Sequence, residues 1–308
     1  MTTPPIDARF RLDDLGVLAA RGADVRAFLQ GQLSQDVAQI TADRSPLAGF
    51  HNPQGRTIAI LRLVADGPVD VLCVTQKSLI SAVRVRLQRV LLRAKLTLAD
   101  ESDRWSCWGL VPAVATPGAD GAAIPHAVAS RVWRHGSTGR LIALQPAAQA
   151  PPEAGRSGDD VDWELADIRD GLPEINAATS ELFVAQMLNL DRLEAVSFQK
   201  GCYAGQEVIA RAHYRGRVKR RLQRFTAPSV TNAPPAPGTN VTLPDGRSAR
   251  IVRSARDPST GSLELLAVAP LPGLSADSAA TSDDAKETGA APKLAGATNL
   301  PLPYSLES

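Results

Sequence analysis

The sequence predicts an α+β fold that is divided into more than one domain. With 308 residues the chain is longer than most single hydrophobic cores, so two or three domains are expected. Its N-terminal third alternates segments of helical periodicity with short runs of strand composition. Further short strand-like runs, separated by turn residues, follow one another near the C-terminus. Helices mixed with mainly antiparallel strands are typical of the α+β class.

Residues 1–100 are predicted to form the first α+β unit. Its helices are expected after Asp24, a suitable N-cap, and at 77–94, where the apolar stripe is the clearest in the chain. Its predicted strands lie at 11–22, 47–50, 57–64, 69–75 and 96–99. The apolar residues at helical spacing after Asp24 are Val25, Phe28, Leu29, Leu33 and Val37. Cys73 falls inside a predicted strand and is expected to be buried.

Residues 101–218 are predicted to form a second, similar unit. Its expected strands lie at 105–111, 129–133 and 141–144. A loop at 145–160, rich in proline and glycine, follows them. Helical spacing returns at 163–169, and Gly171 ends that helix.

Residues 219–272 and 298–308 are predicted to form a small terminal barrel or sheet. Its expected strands lie at 219–225, 241–244, 248–254 and 263–269. Asp245-Gly246 is a hairpin signal between two of them. The basic run from Arg215 to Arg224 is interpreted as the exposed face of the first strand. Residues 273–297 have almost no large apolar side chain and are predicted to be a disordered, inserted loop.

Composition and charge argue against several classes of protein. The net charge is +2, from 34 basic and 32 acidic residues, so whole-chain charge indicates no polyanionic partner. Cys73, Cys107 and Cys202 form no Cys-x-x-Cys pair, which argues against a disulfide framework and for a reducing compartment. The N-terminus lacks a signal-peptide pattern, and no apolar run is long enough to cross a membrane. The expected location is the cytoplasm.

The stretch 198–207 holds the densest group of reactive side chains. It reads Phe-Gln-Lys-Gly-Cys-Tyr-Ala-Gly-Gln-Glu and predicts a loop that turns at Gly201 and enters a helix near Ala204. Cys202 would then lie just before a helix N-terminus, where partial positive charge favours an anion. Lys200 adds a second positive charge. Both features favour the thiolate, which is the reactive form of cysteine.

Structural explanations compete with this chemistry. A lone cysteine is more often a small buried hydrophobe than a nucleophile, which applies to Cys202. Glu207 is also explained as a favourable charge in the first turn of a helix. Tyr203 is also explained as a core residue.

The motif at 200–207, together with Ala210-Arg211 and Tyr214-Arg215-Gly216, resembles the signature of the folate-binding YgfZ family. That family includes mitochondrial iron–sulfur assembly factors and is related to the glycine-cleavage T-protein. Three further stretches resemble the family, at 28–37, 53–56 and 302–307. The resemblance therefore runs nearly from end to end of the chain.

The resemblance implies a ring of two related α+β units plus a C-terminal small β-barrel. It also implies a central pocket for tetrahydrofolate or a derivative. Two tryptophans contact folate in better-described members of the family, and they align with Trp163 and Leu15. An aspartate that the T-protein uses near the pterin aligns with Ala59 or Ile60, and neither can act as an acid or base. This departure implies the YgfZ branch rather than an aminomethyltransferase.

The predicted site residues follow from the motif and the resemblance together. Cys202 is the predicted reactive thiolate, and Lys200 is the residue expected to activate it. The predicted folate-binding residues are Trp163, Tyr203, Gln206, Glu207 and Arg211. Iron–sulfur clusters usually take four protein thiolates, so one cysteine predicts a transient contact and no resident metal site.

Three hypotheses for function remain. The first is a folate-binding factor for the assembly or repair of iron–sulfur proteins, including tRNA-modifying enzymes, with client proteins or assembly factors as partners. Whether it catalyses a reaction is left open. The second is a tetrahydrofolate-dependent aminomethyl or methyl transferase of the T-protein type. The third is an RNA-binding module built on the run from Arg215 to Arg224, but Tyr214 is the one aromatic residue nearby, so direct nucleic-acid binding is not expected.

Overall fold

The computed structural model describes residues 5–114, 118–124, 131–216, 218–228, 233–272 and 291–306. The strands of the first half are β1 (Ile6–Arg11), β2 (Leu15–Arg21), β3 (Leu47–His51), β4 (Thr57–Ala65), β5 (Val71–Gln76), β6 (Thr97–Asp100), β7 (Trp105–Pro112), β8 (Arg131–His135) and β9 (Arg140–Pro146). The later strands are β10 (Arg156–Ser157), β11 (Arg220–Ala227), β12 (Asn240–Thr242), β13 (Ser248–Arg256), β14 (Leu263–Pro270) and β15 (Thr298–Leu300). The α-helices are α1 (Val25–Gln30), α2 (Ile80–Arg89), α3 (Asp160–Arg169) and α4 (Gln206–Tyr214).

The described strands form three sheets of five strands each. Their orders are β3-β4-β5-β2-β6, β10-β1-β7-β9-β8 and β12-β13-β14-β11-β15. The pairing is antiparallel throughout these sheets, except that β10 runs parallel to β1. The mixture of helices with mainly antiparallel strands agrees with the predicted α+β class. The ring of two related units and the terminal barrel stay predictions.

The N-terminal strand does not pair within the first sheet. β1 pairs with β7 and β10 in the second sheet, although residues 1–100 were assigned to the first unit. Ala8 and Phe10 alternate inward on β1 and pack into the apolar cluster that contains Trp133 and Trp163. The first sheet therefore begins at β2. The short strand β10 also lies within the segment that the sequence indicated as a loop.

Both helices of the first sheet are shorter than their apolar periodicity indicates. α1 ends at Gln30, and Leu33 then forms an isolated bridge with Phe50. Leu33 and Val37 are buried, but in extended and 3₁₀ segments rather than in α1. α2 ends at Arg89, and Leu92 has a left-handed φ of 46°. The same core thus takes up apolar residues from segments that are no longer α-helical.

The basic residues of β11 contradict the predicted exposed face. Arg220 and Arg221 are only 6% and 4% exposed. Arg221 donates two hydrogen bonds of 2.9 Å to the carboxylate of Asp191, and Arg224 donates one of 2.8 Å to Glu264. A guanidinium can be buried when its planar donors meet a carboxylate in this way. Arg221 and Arg224 are held in internal ion pairs, so the interpretation of this strand as an exposed basic face is wrong.

The C-terminal segment returns to the third sheet earlier than predicted. Residues 273–290 of the predicted disordered loop lie outside the described residues, but residues 291–297 are placed against β12. The Thr242 backbone N–H donates to the Pro292 carbonyl at 3.0 Å, and the Leu294 N–H donates to the Thr242 carbonyl at 2.9 Å. Leu294 also packs on the apolar cluster of this sheet. Disorder was therefore the wrong prediction for 291–297, because Leu294 anchors that segment.

Candidate functional site

A cavity of about 630 Å³ is enclosed by walls from all three sheets. Val74 of β5, Trp133 of β8 and Arg253 of β13 each contribute to its lining. Another part of the wall comes from α3 and the segment after it, including Trp163 and Glu174. A mainly apolar cavity of this size with a few convergent polar groups is typical of small-molecule sites.

One buried arginine organises the charged part of the cavity wall. Arg253 Nε donates to Glu164 Oε1 at 2.8 Å, and its Nη2 lies 3.0 Å from Asp167 Oδ2. Glu174 Oε2 lies farther away, at 3.7 Å from the same Nη2. Burial opposes the charge on Arg253, but the three carboxylates hold its pKa well above the ordinary value.

Asp167 also contacts a histidine and a second arginine on the same wall. Its Oδ1 lies 2.9 Å from His135 Nε2 and 2.7 Å from Arg140 Nη2. Burial alone would raise the pKa of this carboxyl. Arg253, His135 and Arg140 outweigh that effect and hold the pKa well below its usual range. Asp167 is therefore ionised, and its acceptor capacity is taken up within the protein.

Among the three carboxyls around Arg253, Glu174 is the one with acceptor capacity to spare. Glu164 uses both oxygens on Arg253, whereas Glu174 has a longer contact with that guanidinium and a hydrogen bond from Gln76. Its side chain lines the cavity and is 31% exposed. Burial raises the pKa of Glu174, and Arg253 offsets only part of that rise. Of these three carboxyls it is the one best placed to meet a ligand.

Trp163 lines the cavity, but most of its ring is covered. The His135 ring stacks on it at a centroid distance of 5.5 Å and an interplanar angle of 12°. The Arg140 guanidinium lies 4.5 Å from the ring centroid, and Trp163 is only 6% exposed. A ligand would meet the part of the ring that these neighbours leave open, so face-on stacking requires them to move. Its contact with folate stays a prediction.

Two aligned positions lie on the cavity wall and are apolar. Leu15, where the resemblance implies a folate-contacting tryptophan, is part of the lining. Ile60, rather than the fully buried Ala59, faces the cavity at the position of the T-protein aspartate. Neither alternative supplies a carboxylate there.

The motif at 200–207 lies on a different surface. The cavity lining includes none of its predicted site residues, although the structure describes all of them: Lys200, Cys202, Tyr203, Gln206, Glu207 and, just beyond, Arg211. The turn occurs at Gly205, with a φ of 80°, and not at Gly201. A Cβ at Gly205 would meet the Asn52 carbonyl oxygen at 2.5 Å, so only glycine lets the β3–β4 turn approach this closely. α4 then begins at Gln206 rather than near Ala204.

Lys200 fastens the motif to the loop after α1. Its Nζ donates to the carbonyl oxygens of Gln30, Leu33 and Gln35 at 2.7, 2.6 and 2.8 Å. These contacts use the three donors of an ammonium group. Desolvation lowers the pKa of Lys200 to about 8, although nearby Asp36 acts in the opposite direction. Lys200 therefore acts as a clamp that holds the motif against the loop after α1. Activation of Cys202 by Lys200 stays a prediction.

Cys202 is exposed, whereas the other two cysteines are buried. Burial raises the pKa of Cys73 and of Cys107 to about 12. The two features expected to favour the Cys202 thiolate are placed differently: α4 begins four residues later, and Lys200 donates to backbone carbonyls. Accessibility is the property that distinguishes Cys202 from the other thiols.

The other predicted folate-binding residues have separate environments. Tyr203 is 7% exposed and belongs to the core cluster of the first sheet, and burial raises its pKa to about 12. Gln206, Glu207 and Arg211 follow one another on α4, where Glu207 and Arg211 are exposed. Their roles toward folate stay predictions.

Comparison with known proteins identifies the family. No protein-family model matches the chain. The chain is 32% identical over 256 residues to the tRNA-modifying protein YgfZ of Enterobacter sp. strain 638, covering 78% of this chain and 77% of that protein. It belongs to the YgfZ family. Another YgfZ relative, from Escherichia coli O157:H7 strain EC4115, is 29% identical over 254 residues with the same coverage.

The solved structures place this YgfZ chain in the fold of the T-protein. The glycine cleavage system aminomethyltransferase T of Bartonella henselae superposes with a TM-score of 0.66. The match covers 87% of this chain and 79% of that one at 14% identity, so it concerns the fold alone. The predicted relationship to the YgfZ family is confirmed.

The cavity residues that carry most charge were missed by sequence reasoning. Arg253, Glu174, Asp167 and His135 come from β13, the segment after α3, α3 itself and β8. A local signal existed for Glu174, which follows the helix-ending Gly-Leu-Pro at 171–173. Arg253, Asp167 and His135 are far apart in sequence, so no local pattern connects them.

Lys200→Met in this YgfZ chain tests whether the residue is a clamp. Loss of three charge-assisted hydrogen bonds is expected to lower the free energy of unfolding by about 1–3 kcal/mol and to expose 198–205 to proteases. Urea denaturation and limited proteolysis measure the two effects, with the exposed Lys95→Met as control. A variant that matches the wild type in both and still loses function would restore the predicted chemical role.

Metal and membrane features were also searched for in the described part of the chain. No group of three or more His, Cys, Asp or Glu residues there is arranged to hold a metal ion. No helix there has the length and apolar character needed to span a bilayer.

Proposed function

We propose that the chain is a folate-binding factor that serves the assembly or repair of iron–sulfur proteins, among them enzymes that modify tRNA. The observation that carries the proposal is the cavity between the three sheets, with the carboxyl of Glu174 on its wall only partly engaged by Arg253 and Gln76. Membership of the YgfZ family and the name of its relatives, tRNA-modifying protein, support the link to tRNA modification. A cytoplasmic location and a ring of two units with a terminal barrel belong to the same proposal.

The cavity fits the chemistry of a reduced pterin. The aminopyrimidinone edge of a pterin presents neighbouring N–H donors, for which a carboxylate with free lone pairs is a matched acceptor. Glu174 supplies that carboxylate, while Arg253 keeps Glu164 and Asp167 oriented beside it. Leu15, Ile60 and the open part of Trp163 supply apolar contact for the rings. A one-carbon derivative of tetrahydrofolate, when bound, would supply a one-carbon unit, whereas tetrahydrofolate itself would accept one.

We assign the exposed thiol of Cys202 a separate role on the outer surface of the protein. Cys202 is accessible to a large partner, whereas a buried thiol would not be. We assign to it a transient contact with the cluster or sulfur of a client protein, which is the substrate. The client must bring most of the thiolate ligands, because one cysteine cannot hold a cluster.

The alternative, an aminomethyltransferase of the T-protein type, has less support. That chemistry relies on an aspartate beside the pterin. The side chain that lines the cavity at the aligned position is Ile60, which cannot accept a proton. We therefore favour folate as a bound effector or one-carbon source over a T-protein reaction.

Titration with tetrahydrofolate, followed by tryptophan fluorescence, tests the proposal. The wild type is expected to bind with a quench, because Trp133 and Trp163 line the cavity. Glu174→Gln is expected to bind about tenfold or more weakly, since a charged acceptor contributes roughly 1.5–3 kcal/mol. Wild-type affinity is also expected to fall as pH drops through the raised pKa of Glu174, because protonation removes the acceptor.

Two controls make this experiment decisive. Glu153→Gln changes an exposed carboxyl outside the cavity lining and is expected to leave the affinity unchanged. Trp163→Ala is expected to reduce both the quench and the affinity. Wild-type protein that binds no tetrahydrofolate would refute the folate half of the proposal, whereas equal binding by Glu174→Gln would refute only the role of Glu174.

A further inference from the structure

The helix that follows the motif presents a surface that the cavity does not use. α4 has nine residues, of which Ile209 alone is buried. Together with the preceding loop it exposes a set that we call the α4 face: Cys202, Glu207, Val208, Arg211, His213, Tyr214 and Arg215. A helix held by so little burial has most of its surface free for a partner.

Three rings form an exposed aromatic cluster on the α4 face. Phe198 stacks on His213 with centroids 3.8 Å apart and an interplanar angle of 15°. Tyr214 meets the His213 ring edge-on at 4.7 Å and the Phe198 ring at 6.0 Å. Tyr214 is 67% exposed, and Phe198 is packed against the core behind it. The outer ring is therefore supported from beneath and open to solvent.

The α4 face has a net positive charge, because it exposes two arginines and the single carboxylate of Glu207. Neither the Arg211 nor the Arg215 guanidinium has an ion-pair or hydrogen-bond partner within the part of the chain that the structure describes. Glu207 is the one acidic residue in the sequence of α4. Arginines that have no internal carboxylate are free to meet phosphate, which they bind in bidentate geometry.

We propose that the α4 face binds unpaired nucleotides of an RNA, with Tyr214 stacking on a base and Arg211 and Arg215 contacting phosphates. Single strands are bound by this combination of an aromatic platform and nearby cations. Arg215 stands beside the stacking ring in sequence, and Arg211 lies one helical turn before it. The preference for RNA over DNA rests on the proposed function in tRNA modification.

This inference revises what the sequence indicated. Nucleic-acid binding was not expected because Tyr214 was the one aromatic residue beside the basic run. The fold adds two rings, Phe198 from the loop and His213 from the same helix. Arg221 and Arg224 are not part of the proposed RNA contact, because they are held in ion pairs on β11.

Fluorescence anisotropy with a labelled single-stranded RNA of ten nucleotides tests the proposal. Tyr214→Ala is expected to weaken binding about fivefold or more, because stacking contributes roughly 1–3 kcal/mol per base, while Tyr214→Phe keeps the ring and the affinity. The double variant Arg211→Gln/Arg215→Gln is expected to weaken binding and to reduce the slope of log affinity against log salt by about 1.4, for two phosphate contacts.

Matched controls separate this face from general attraction to charge. Arg89→Gln/Arg93→Gln removes two exposed charges near the end of α2 and is expected to leave affinity nearly unchanged. An equal loss in that control, or no loss in Tyr214→Ala, would overturn the proposal. Equal affinity for single-stranded DNA would overturn the choice of RNA. A ten-residue polyglutamate that binds as tightly as the RNA would identify an acidic protein as the partner instead.

Titration of Tyr214→Ala with tetrahydrofolate keeps the two proposals apart. Tyr214→Ala is expected to bind tetrahydrofolate as the wild type does, because Tyr214 does not line the cavity and is not among the predicted folate-binding residues. Folate binding without RNA binding would refute this inference alone. RNA binding without folate binding would refute the proposed function alone.

Discussion

Arg253→Met is expected to lower the free energy of unfolding at pH 7 by about 3–5 kcal/mol, because it leaves the buried Asp167 and two half-buried carboxylates without their common cation. Glu164, Asp167 and Glu174 all approach this one guanidinium. Methionine fills similar volume but carries no charge, so packing changes little. Urea denaturation followed by tryptophan fluorescence measures the difference.

The pH dependence of Arg253→Met provides a second test. The folded-state pKa of Asp167 is depressed, so its ion pairs contribute fully above the ordinary carboxyl pKa and are lost as pH falls through the depressed value. In Arg253→Met the carboxylates have lost their cationic partner. Protonating them as the pH falls therefore removes charge that the fold no longer compensates. Glu174, whose pKa is already raised, takes up a proton first. The stability deficit of the variant is therefore expected to shrink between pH 7 and pH 5.

Arg169→Met is the matched control on the neighbouring helix. Arg169 also joins α3 to the third sheet, through Asp257 and Glu264, but its side chain is 43% exposed. Solvent screening limits such a pair to about 1 kcal/mol or less. Equal losses in the two variants would show that burial around Arg253 does not set the cost.

Cys202→Ser is expected to abolish function while leaving stability within about 0.5 kcal/mol of the wild type. Its side chain is exposed and makes no core contact, so a hydroxyl replaces the thiol without a packing change. Complementation of a strain that lacks its own YgfZ protein measures function, and urea denaturation measures stability. Full complementation by the variant would contradict the role assigned to this thiol.

Alkylation of the native protein supplies the control for Cys202. Iodoacetamide is expected to modify Cys202 first, because Cys73 and Cys107 are buried and burial raises their pKa to about 12. Mass spectrometry should find one label on the native wild type and none on native Cys202→Ser. Three labels are expected on the unfolded wild type. Early labelling of Cys73 would show that exposure does not separate these thiols.

The sequence predicted local structure well in segments where a single hydrophobic periodicity dominates. β4, β5 and the strands β11 to β14 of the third sheet lie close to their predicted positions, because alternating or continuous apolar runs bounded by turn residues specify them. The ends of α1 and α2 were misplaced, since buried residues beyond a helix keep the apolar spacing after the backbone has changed conformation. Leu33 is such a residue.

The cavity and the motif at 200–207 show which features a local sequence pattern cannot predict. The motif at 200–207 predicted that one loop carries the site. In the structure that loop and the cavity lie at separate positions. Lys200 looked like an activator from its spacing of two residues. Its three carbonyl partners come from 30–35, far away in sequence.

By itself the sequence determined the family, the α+β class and the stretch that carries the exposed cysteine, because each of these is written in consecutive residues. The tertiary structure alone decided that β1 joins the second sheet and that Arg253 gathers carboxylates at a cavity. It also decided that Phe198 supports His213 and Tyr214 on an open face. Charge pairing and ring stacking depend on distances between side chains, and those distances are set only when separate strands and helices pack together.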